Sequence, residues 1–301
     1  ELDKARIVSG VFEGKTTGTP ICILIENRDM KPQDYERIKD TPRPGHADLT
    51  YMLRYGIYDY RGGGRASGRE TVARVAAGAV AKRLLKTIGI EVVAHVVQVG
   101  KIRAKSKIGS IEERDPETMC FDKKASEEIK KLLERLKKEG DSCGGIVEII
   151  ATGVPAGVGE PVFDKLEADI GKALLSIGAV KGIEFGAGFK FADMTGSEAN
   201  DQFCIKDGKI VTDKNDAGGI LGGISNSMPI VTRIVVKPTS SIRKKQKTVN
   251  IEKMKEVKIS VTGRHDPCVA IRVPPVAEAM VSIVLADHLI RSGFINPVRL
   301  R

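Results

Sequence analysis

The sequence holds 301 residues, 41% of them hydrophobic and 29% charged, the proportions of a globular chain that buries a sizeable core. A formal charge of +10 calls for an anionic partner, yet aromatic residues make up only 4% and tryptophan is absent, so the ring platforms that stack single-stranded nucleic acid are poorly supplied and a small phosphorylated ligand fits better. No run approaches the roughly eighteen apolar residues of a membrane span. Five cysteines without a CxxC pair and four scattered histidines argue against a disulfide scaffold or a metal site, and predict reduced, mostly buried thiols in a cytoplasm.

Along the chain, Thr19–Glu26 (TPICILIE) has the apolar, β-branched character of a strand. A helix is predicted from about Gly68 to Ile88, with Ser67 and Glu70 at capping-box spacing and Gly89 at the C-terminal stop. Its body of Ala73, Ala76, Ala77, Gly78, Ala79 and Ala81 suits close backbone packing at the centre of the molecule. Strand Val92–Gly100 follows, then a surface helix over Ser126–Glu139 with Ile129, Leu132, Leu133 and Leu136 on one stripe. After strand Gly145–Thr152, a helix starting at Pro161 is predicted to bury Phe163, Leu166, Ile170 and Leu174. Strands Ile183–Phe191, Pro229–Lys237 and Glu256–Thr262 precede a largely apolar helix over about Pro275–Arg291. No linker or fixed-period repeat divides the chain. Irregular alternation, with several strands separated only by short turns, predicts a single α+β domain over residues 1–301 with antiparallel sheets. A Rossmann fold is disfavoured because no GxGxxG follows a strand.

Arginines 43, 54, 61, 65, 69 and 74 crowd into one glycine-rich region, and guanidinium forks suit phosphate and carboxylate. In RGGGRASGRE (Arg61–Glu70) the glycines let backbone approach a ligand, and the capped helix start adds unpaired N–H groups. The alternative is a flexible turn with solvated arginines. KPTSS (Lys237–Ser241) ends a strand with three hydroxyls beside a lysine, so it cradles phosphate or simply turns the chain. GRHDP (Gly263–Pro267) sets Arg264, His265 and Asp266 at a strand end, where catalytic groups are common, although aspartate beside arginine is also the pattern of a structural ion pair. His46, in PGHAD, is placed for acid–base work or as a hydrogen-bonding scaffold.

These runs, with RPGHADLTY (Arg43–Tyr51), GAVKG (Gly178–Gly182) and AGGILGGIS (Ala217–Ser225) in the same order, resemble the chorismate synthase family along nearly the whole chain. GVFEGKTTGTP (Gly10–Pro20) and the Pro275–His288 helix fit it too. The resemblance implies a β-α-β sandwich, antiparallel sheets around central helices, and reduced FMN as an essential cofactor. It implies FMN contacts from Arg65, Ala66, Ser67, Gly178, Ala179, Gly222, Lys237, Pro238, Thr239, Ser240 and Ser241. Ser67 and Arg69 match residues that face the substrate, and Arg264 one shared by flavin and substrate. Asp266 matches the aspartate near the flavin N5, and His46 the histidine near its pyrimidine end. No role attaches to His265, His95 or His288. Ala66 stands where many members have serine, a change that backbone contacts to FMN survive.

The implied reaction is a 1,4-anti elimination from 5-enolpyruvylshikimate 3-phosphate, phosphate leaving C3 and hydrogen leaving C6 with no net redox change. Reduced FMN lends electron density transiently. On that view Arg65, Arg69, Arg264 and the helix start stabilise the departing phosphate. His46, as imidazolium, favours the anionic reduced flavin, and Asp266 accepts or relays a proton. A cytoplasmic homotetramer in the shikimate pathway of aromatic amino acid biosynthesis is implied, free of membrane and nucleic acid. Some members reduce their own flavin with NADPH; lacking an insertion of nucleotide-binding type, this chain is expected to use an outside reductant. The family's GESHG-type opening, with a second catalytic histidine and substrate-gripping arginines, precedes residue 1, so that part of the family's site is expected to lie outside this sequence. Two other readings use the same arginines: a non-catalytic FMN-binding fragment, and a basic phosphoanion- or RNA-binding module.

Overall fold

A computed structural model describes residues 3–27, 36, 39–57, 59–105, 111–261 and 266–296. Its main sheet has five strands: β1 (Glu91–Val99), β2 (Ile102–Arg103), β3 (Gly145–Thr152), β4 (Val180–Phe185) and β5 (Ile230–Val236). They lie in the order β2-β1-β3-β5-β4, and every neighbouring pair is antiparallel. Side chains alternate between faces, and the register puts Ala94, Ile149 and Thr232 on one face and His95, Glu148 and Arg233 on the other. The first face joins the hydrophobic core through Val96, Val147 and Ile234. On the second, Arg233 crosses three strands, its Nε donating to Glu148 at 2.8 Å and NH1 to Glu184 at 3.0 Å.

The longer helices among the described residues are α1 (Asp48–Tyr55), α2 (Thr71–Lys86), α3 (Lys123–Glu139), α4 (Leu166–Leu175) and α5 (Pro274–Arg291). Helix α5 packs on α2, α4, β1 and β3. Helix α2 meets β1 and also the antiparallel pair Ala5–Ser9 and Cys22–Ile25. It therefore lies between two antiparallel layers, the sandwich the resemblance implies. Small residues make this possible. A Cβ on Gly78 would sit 2.2 Å from the Cβ of Ala279, so the two backbones approach as closely as a glycine allows.

Several boundaries differ from the sequence-based expectation. Helix α3 begins at Lys123, capped by Asp122 through the amides of Lys124 and Ala125, while Ser126 is buried and bonded to Thr118 at 2.7 Å. Helix α4 begins at Leu166 rather than Pro161: Glu160 N donates to Asp164 O at 3.0 Å, closing a turn ahead of the helix. Phe163 in that turn is 92% exposed, whereas Leu166, Ile170 and Leu174 are buried as expected. Strand β4 stops at Phe185 because Gly186, at φ +55°, turns the chain. The last strand runs Lys255–Ile259, paired with Gln246–Asn250; Thr262 lies outside the described residues. The thiols are free, but only Cys120 and Cys268 are buried, with Cys22 and Cys204 exposed.

Two predictions follow from this packing. Gly78→Ala gains helix propensity of about 1 kcal/mol, yet the Cβ contact forces α2 and α5 apart at a cost of about 1–3 kcal/mol. The expected outcome in urea unfolding is net destabilisation, because the added Cβ would also lie 2.5 Å from the Ala279 Cα; a stabilised variant would contradict the close approach. The second concerns His95, which is 1% exposed, stacks on Phe121 at 4.8 Å and has Nε2 3.4 Å from Glu148 Oε1. Burial, with Arg114 adding and Glu148 and Glu278 opposing, pushes its pKa down from 6.5 to about 4. Between those values the unfolded chain binds the proton and the folded chain resists it, so stability is lost as pH falls from 6.5 towards 4. By about pH 5 the loss attributable to this ring is about 2 kcal/mol. Denaturant titrations at neutral and at this lower pH should show a smaller difference for His95→Phe than for wild type, and equal differences would remove the ring from the account.

Candidate active site

The loop ahead of α1 is organised by a buried ion pair. Arg43 donates from Nε to Asp48 Oδ2 and from NH2 to Oδ1, both at 2.8 Å, and the Arg43 amide adds a third bond at 3.1 Å. The two side chains are 7% and 6% exposed. Burial acts to raise the Asp48 carboxyl, but the bonds from Arg43 and His46 outweigh it and hold it well below the usual carboxylate range. His46 Nδ1 lies 2.7 Å from Asp48 Oδ1 and 3.1 Å from Arg43 NH2. A guanidinium has no lone pair to offer, so the shorter contact assigns Nδ1–H as donor to the carboxylate. That leaves Nε2 as the atom able to hold or yield a proton.

The same guanidinium reaches the next segment. Arg43 NH1 donates to Ser241 Oγ at 3.1 Å, and Ser240 Oγ donates to Gly45 O at 2.7 Å. Gly45 has φ +69°, a left-handed conformation that glycine adopts without strain. Lys237 Nζ donates to Ser240 Oγ at 2.5 Å, and its amide to Ala179 O at 2.9 Å. Ala179 is held at φ +71°, a left-handed conformation uncommon outside glycine and concentrated at functional turns. Next to it, Gly178 faces open space. Burial, reinforced by Lys181, pushes the Lys237 ammonium below its ordinary value. Ser142 Oγ donates to Thr239 O at 2.7 Å, while Thr239 Oγ1 is buried without a hydrogen-bond partner. Pro238 is exposed.

Asp266 adjoins this cluster through its neighbour: Pro267 O accepts from Cys143 N at 2.9 Å, beside Ser142. The Asp266 carboxylate is 43% exposed and meets Arg272 at 3.4 Å. Arg264 and His265 lie outside the described residues.

The start of α2 completes the neighbourhood. Arg65 is exposed on the 3-10 segment Arg61–Ala66, which also carries Ala66. Ser67, extended at φ −73° and ψ 140°, accepts from Arg69 N at 3.2 Å, and Gly68–Glu70 wind as a further 3-10 turn before α2 begins. The Arg69 fork grips both oxygens of Asp3, at 2.8 and 2.7 Å. Arg74 bridges Glu70 at 2.9 Å and Ser176 Oγ at 2.6 Å, which draws the helix start towards Gly178. Gly222 stands apart. Leu166 N donates to Gly223 O at 3.0 Å, so this glycine pair flanks the first turn of α4, about 15 Å along the axis from its last turn.

The structure thus gathers His46, Gly178, Ala179, Lys237–Ser241 and the Asp266 loop, with Ser67 and Arg69 nearby, and leaves Gly222 at the far end of α4. Sequence reasoning gave no role to Arg43 or Asp48, nor to Arg74 or Ser142, although it counted both arginines in the anion-suited cluster. For the first two, a signal was present: arginine and aspartate flank the histidine within one six-residue loop, a spacing suited to holding a ring in one tautomer. Among the described residues no His, Cys, Asp or Glu group is arranged to hold a metal ion.

Comparisons with known proteins bear on the family and the fold. The family model described as chorismate synthase matches residues 1–290. Chorismate synthase of Methanosarcina mazei is 56% identical over 301 residues, covering 99% of this chain and 82% of the relative. That of Methanocaldococcus jannaschii is 50% identical over 316 residues, covering 100% of this chain and 84% of the relative. A solved chorismate synthase crystal structure aligns with a TM-score of 0.74 and 31% identity, over 96% of this chain and 78% of that one. With matches of this extent in sequence and fold, the chain belongs to the chorismate synthase family.

Proposed function

We propose that this enzyme works on reduced FMN held between the Gly178–Ala179 turn, Lys237–Ser241, the Gly45–His46 turn and the Ser67-capped 3-10 turn ahead of α2. The reaction is that of the family: elimination of phosphate from 5-enolpyruvylshikimate 3-phosphate to give chorismate, a carbon–oxygen lyase step of aromatic amino acid biosynthesis. Nothing favours a non-catalytic or RNA-binding reading.

One observation carries the flavin reading. Lys237 is half-buried, is repelled by Lys181 and meets no carboxylate among its described partners, while the neighbouring Thr239 hydroxyl is buried and unsatisfied. A buried cation and a buried donor both lacking an anion define a place for one. The open face of Gly178 and the left-handed Ala179 beside them suit a flat ring and its phosphate arm. Reduced FMN, when bound there, supplies electron density as phosphate departs and takes it back as hydrogen leaves.

This chain's own residues do the rest. Lys237, Thr239 and Ser240 hold the cofactor's anionic groups, with Arg65, Ala66 and Ser67 closing one side. Ser67, Arg69 and Arg264 bind the substrate. The Arg69 fork, set on the two oxygens of Asp3, has the bidentate geometry that a substrate carboxylate or phosphate takes. Preorganised donors of this kind stabilise charge on the leaving phosphate. His46 holds a proton at Nε2, its ring fixed by Asp48, and Asp266 is the proton acceptor at the reacting centre. Gly222, remote from the cluster within one chain, is assigned to the flavin by resemblance alone.

We also infer a homotetramer working in the cytoplasm. The hairpin of Phe203–Lys206 and Lys209–Thr212 presents Phe203, Ile205 and Ile210 on one face, each at least 69% exposed, an apolar surface that isolated proteins rarely leave in water. No helix among the described residues is long and apolar enough to cross a membrane.

The test compares phosphate release by wild type and Asp266→Asn, each with reduced and with oxidised FMN under strict exclusion of oxygen. Wild type is expected to turn over only with the reduced cofactor. The variant should bind FMN normally and release phosphate about 10²–10⁴-fold more slowly. Equal wild-type rates with oxidised FMN would defeat the cofactor reading. A variant that kept its rate but lost flavin would make Asp266 a structural partner of Arg272.

A further inference from the structure

We propose that Arg74 is a positioning residue that sets the distance between the Ser67-capped 3-10 turn ahead of α2 and the Gly178–Ala179 turn, and thereby the width of the cradle. This rests on the reading that FMN occupies that cradle. Arg74 NH2 pairs with Glu70 Oε1 at 2.9 Å, and NH1 donates to Ser176 Oγ at 2.6 Å. Ser176 Oγ spends its single proton on Ala173 O at 2.6 Å, so it is free to act as acceptor towards the arginine.

The direction of the strut matters. Glu70 ends the 3-10 turn that carries Ser67 and Arg69, while Ser176 caps the C-terminal end of α4. A cation at that end meets the negative pole of the helix, so the contact is favoured by the dipole as well as by the hydrogen bond. Three residues on, Ala179 takes the amide of Lys237 at 2.9 Å, and the Lys237 ammonium reaches Ser240 at 2.5 Å. Movement of Ser176 therefore passes through covalent backbone and one hydrogen bond to the lysine that awaits the anion. The opposite side of the strut is fixed, because Gly78, one turn further along α2, is pressed against Ala279. Among the described hydrogen bonds and ion pairs of α2, only the Arg74 bond reaches the end of α4 or the turn that follows it.

A planar fork can satisfy both partners at once; a lysine can satisfy one. The experiment measures FMN affinity by quenching of flavin fluorescence, together with thermal midpoints, for wild type, Arg74→Ala, Arg74→Lys, Ser176→Ala and the double alanine variant. Leu289→Ala, a fully buried position in the last turn of α5, where Arg291 pairs with Asp164 ahead of α4, serves as a control destabilised away from the cradle. Arg74→Ala should weaken FMN binding about tenfold, the scale of one coupled contact, and Arg74→Lys by less. Ser176→Ala should weaken it too, with the double variant no worse than Arg74→Ala alone, since both act through one contact. Unchanged FMN affinity in Arg74→Ala overturns the proposal, and so does a loss matched by Leu289→Ala at an equal fall in midpoint. A wild type that binds no FMN fails differently: it removes the flavin reading, and this proposal with it.

Discussion

A guanidinium buried against a carboxylate, Arg43 on Asp48, fixes the shape of everything around it. Removing either partner would strand the other charge in a low-dielectric site, at a cost of about 3–5 kcal/mol, so the loop has one strongly preferred geometry. That geometry chooses the His46 tautomer, directs Gly45 O at Ser240 and presents Ser241 to Arg43 NH1. Residues almost two hundred positions apart in sequence are thereby set side by side before any ligand arrives. The proposed anion cradle would inherit its shape from an ion pair that itself has no need to touch the ligand.

The frame that holds this loop is built by different means. Glu278 on α5 accepts from Ala94 N on β1 at 2.9 Å and pairs with Arg114 at 2.6 Å and with Lys82 on α2. One buried carboxylate thus joins two helices to the sheet, next to the contact where Gly78 and Ala279 allow backbones to touch. Across the sheet, Arg233 links Glu148 and Glu184 on the other face. Apolar burial drives the layers together, whereas these polar clusters determine which arrangement of layers is satisfied. The turns proposed to hold the ligand are braced by side chains such as Ser142, which donates to Thr239 O, and Arg74, which bridges Glu70 and Ser176.

Regular elements were legible in the sequence where local rules and packing agree. Gly89, at φ +78°, ends its helix as its position after Ile88 foretold, and the small residues of α2 do meet another backbone. Where local rules conflict, the reading slipped. Pro161 suits a first helical turn, yet the Glu160–Asp164 turn claims it and the helix waits for Leu166. Ser67 caps, but through Arg69 N, because Gly68–Glu70 wind more tightly than the spacing to Glu70 supposes. The site was harder. Residue chemistry left KPTSS undecided between cradle and turn, and resemblance to a family supplied the roles. Neither source could reveal the Arg43–Ser241 bond or the Arg74–Ser176 strut, since each joins residues about a hundred or more positions apart. Such contacts exist only once the chain has folded.

The central claim is that the loop of Arg43–Asp48, the Gly178–Ala179 turn and Lys237–Ser241 form one preassembled cradle for a flavin phosphate. Amide hydrogen exchange, followed with and without reduced FMN, addresses it directly. If the claim holds, FMN slows exchange in peptides covering all three segments together, at the same ligand concentration, and leaves the Gln246–Asn250 and Lys255–Ile259 hairpin unchanged. Protection confined to one segment, or appearing only elsewhere in the chain, would show that the cradle is not where the ligand binds.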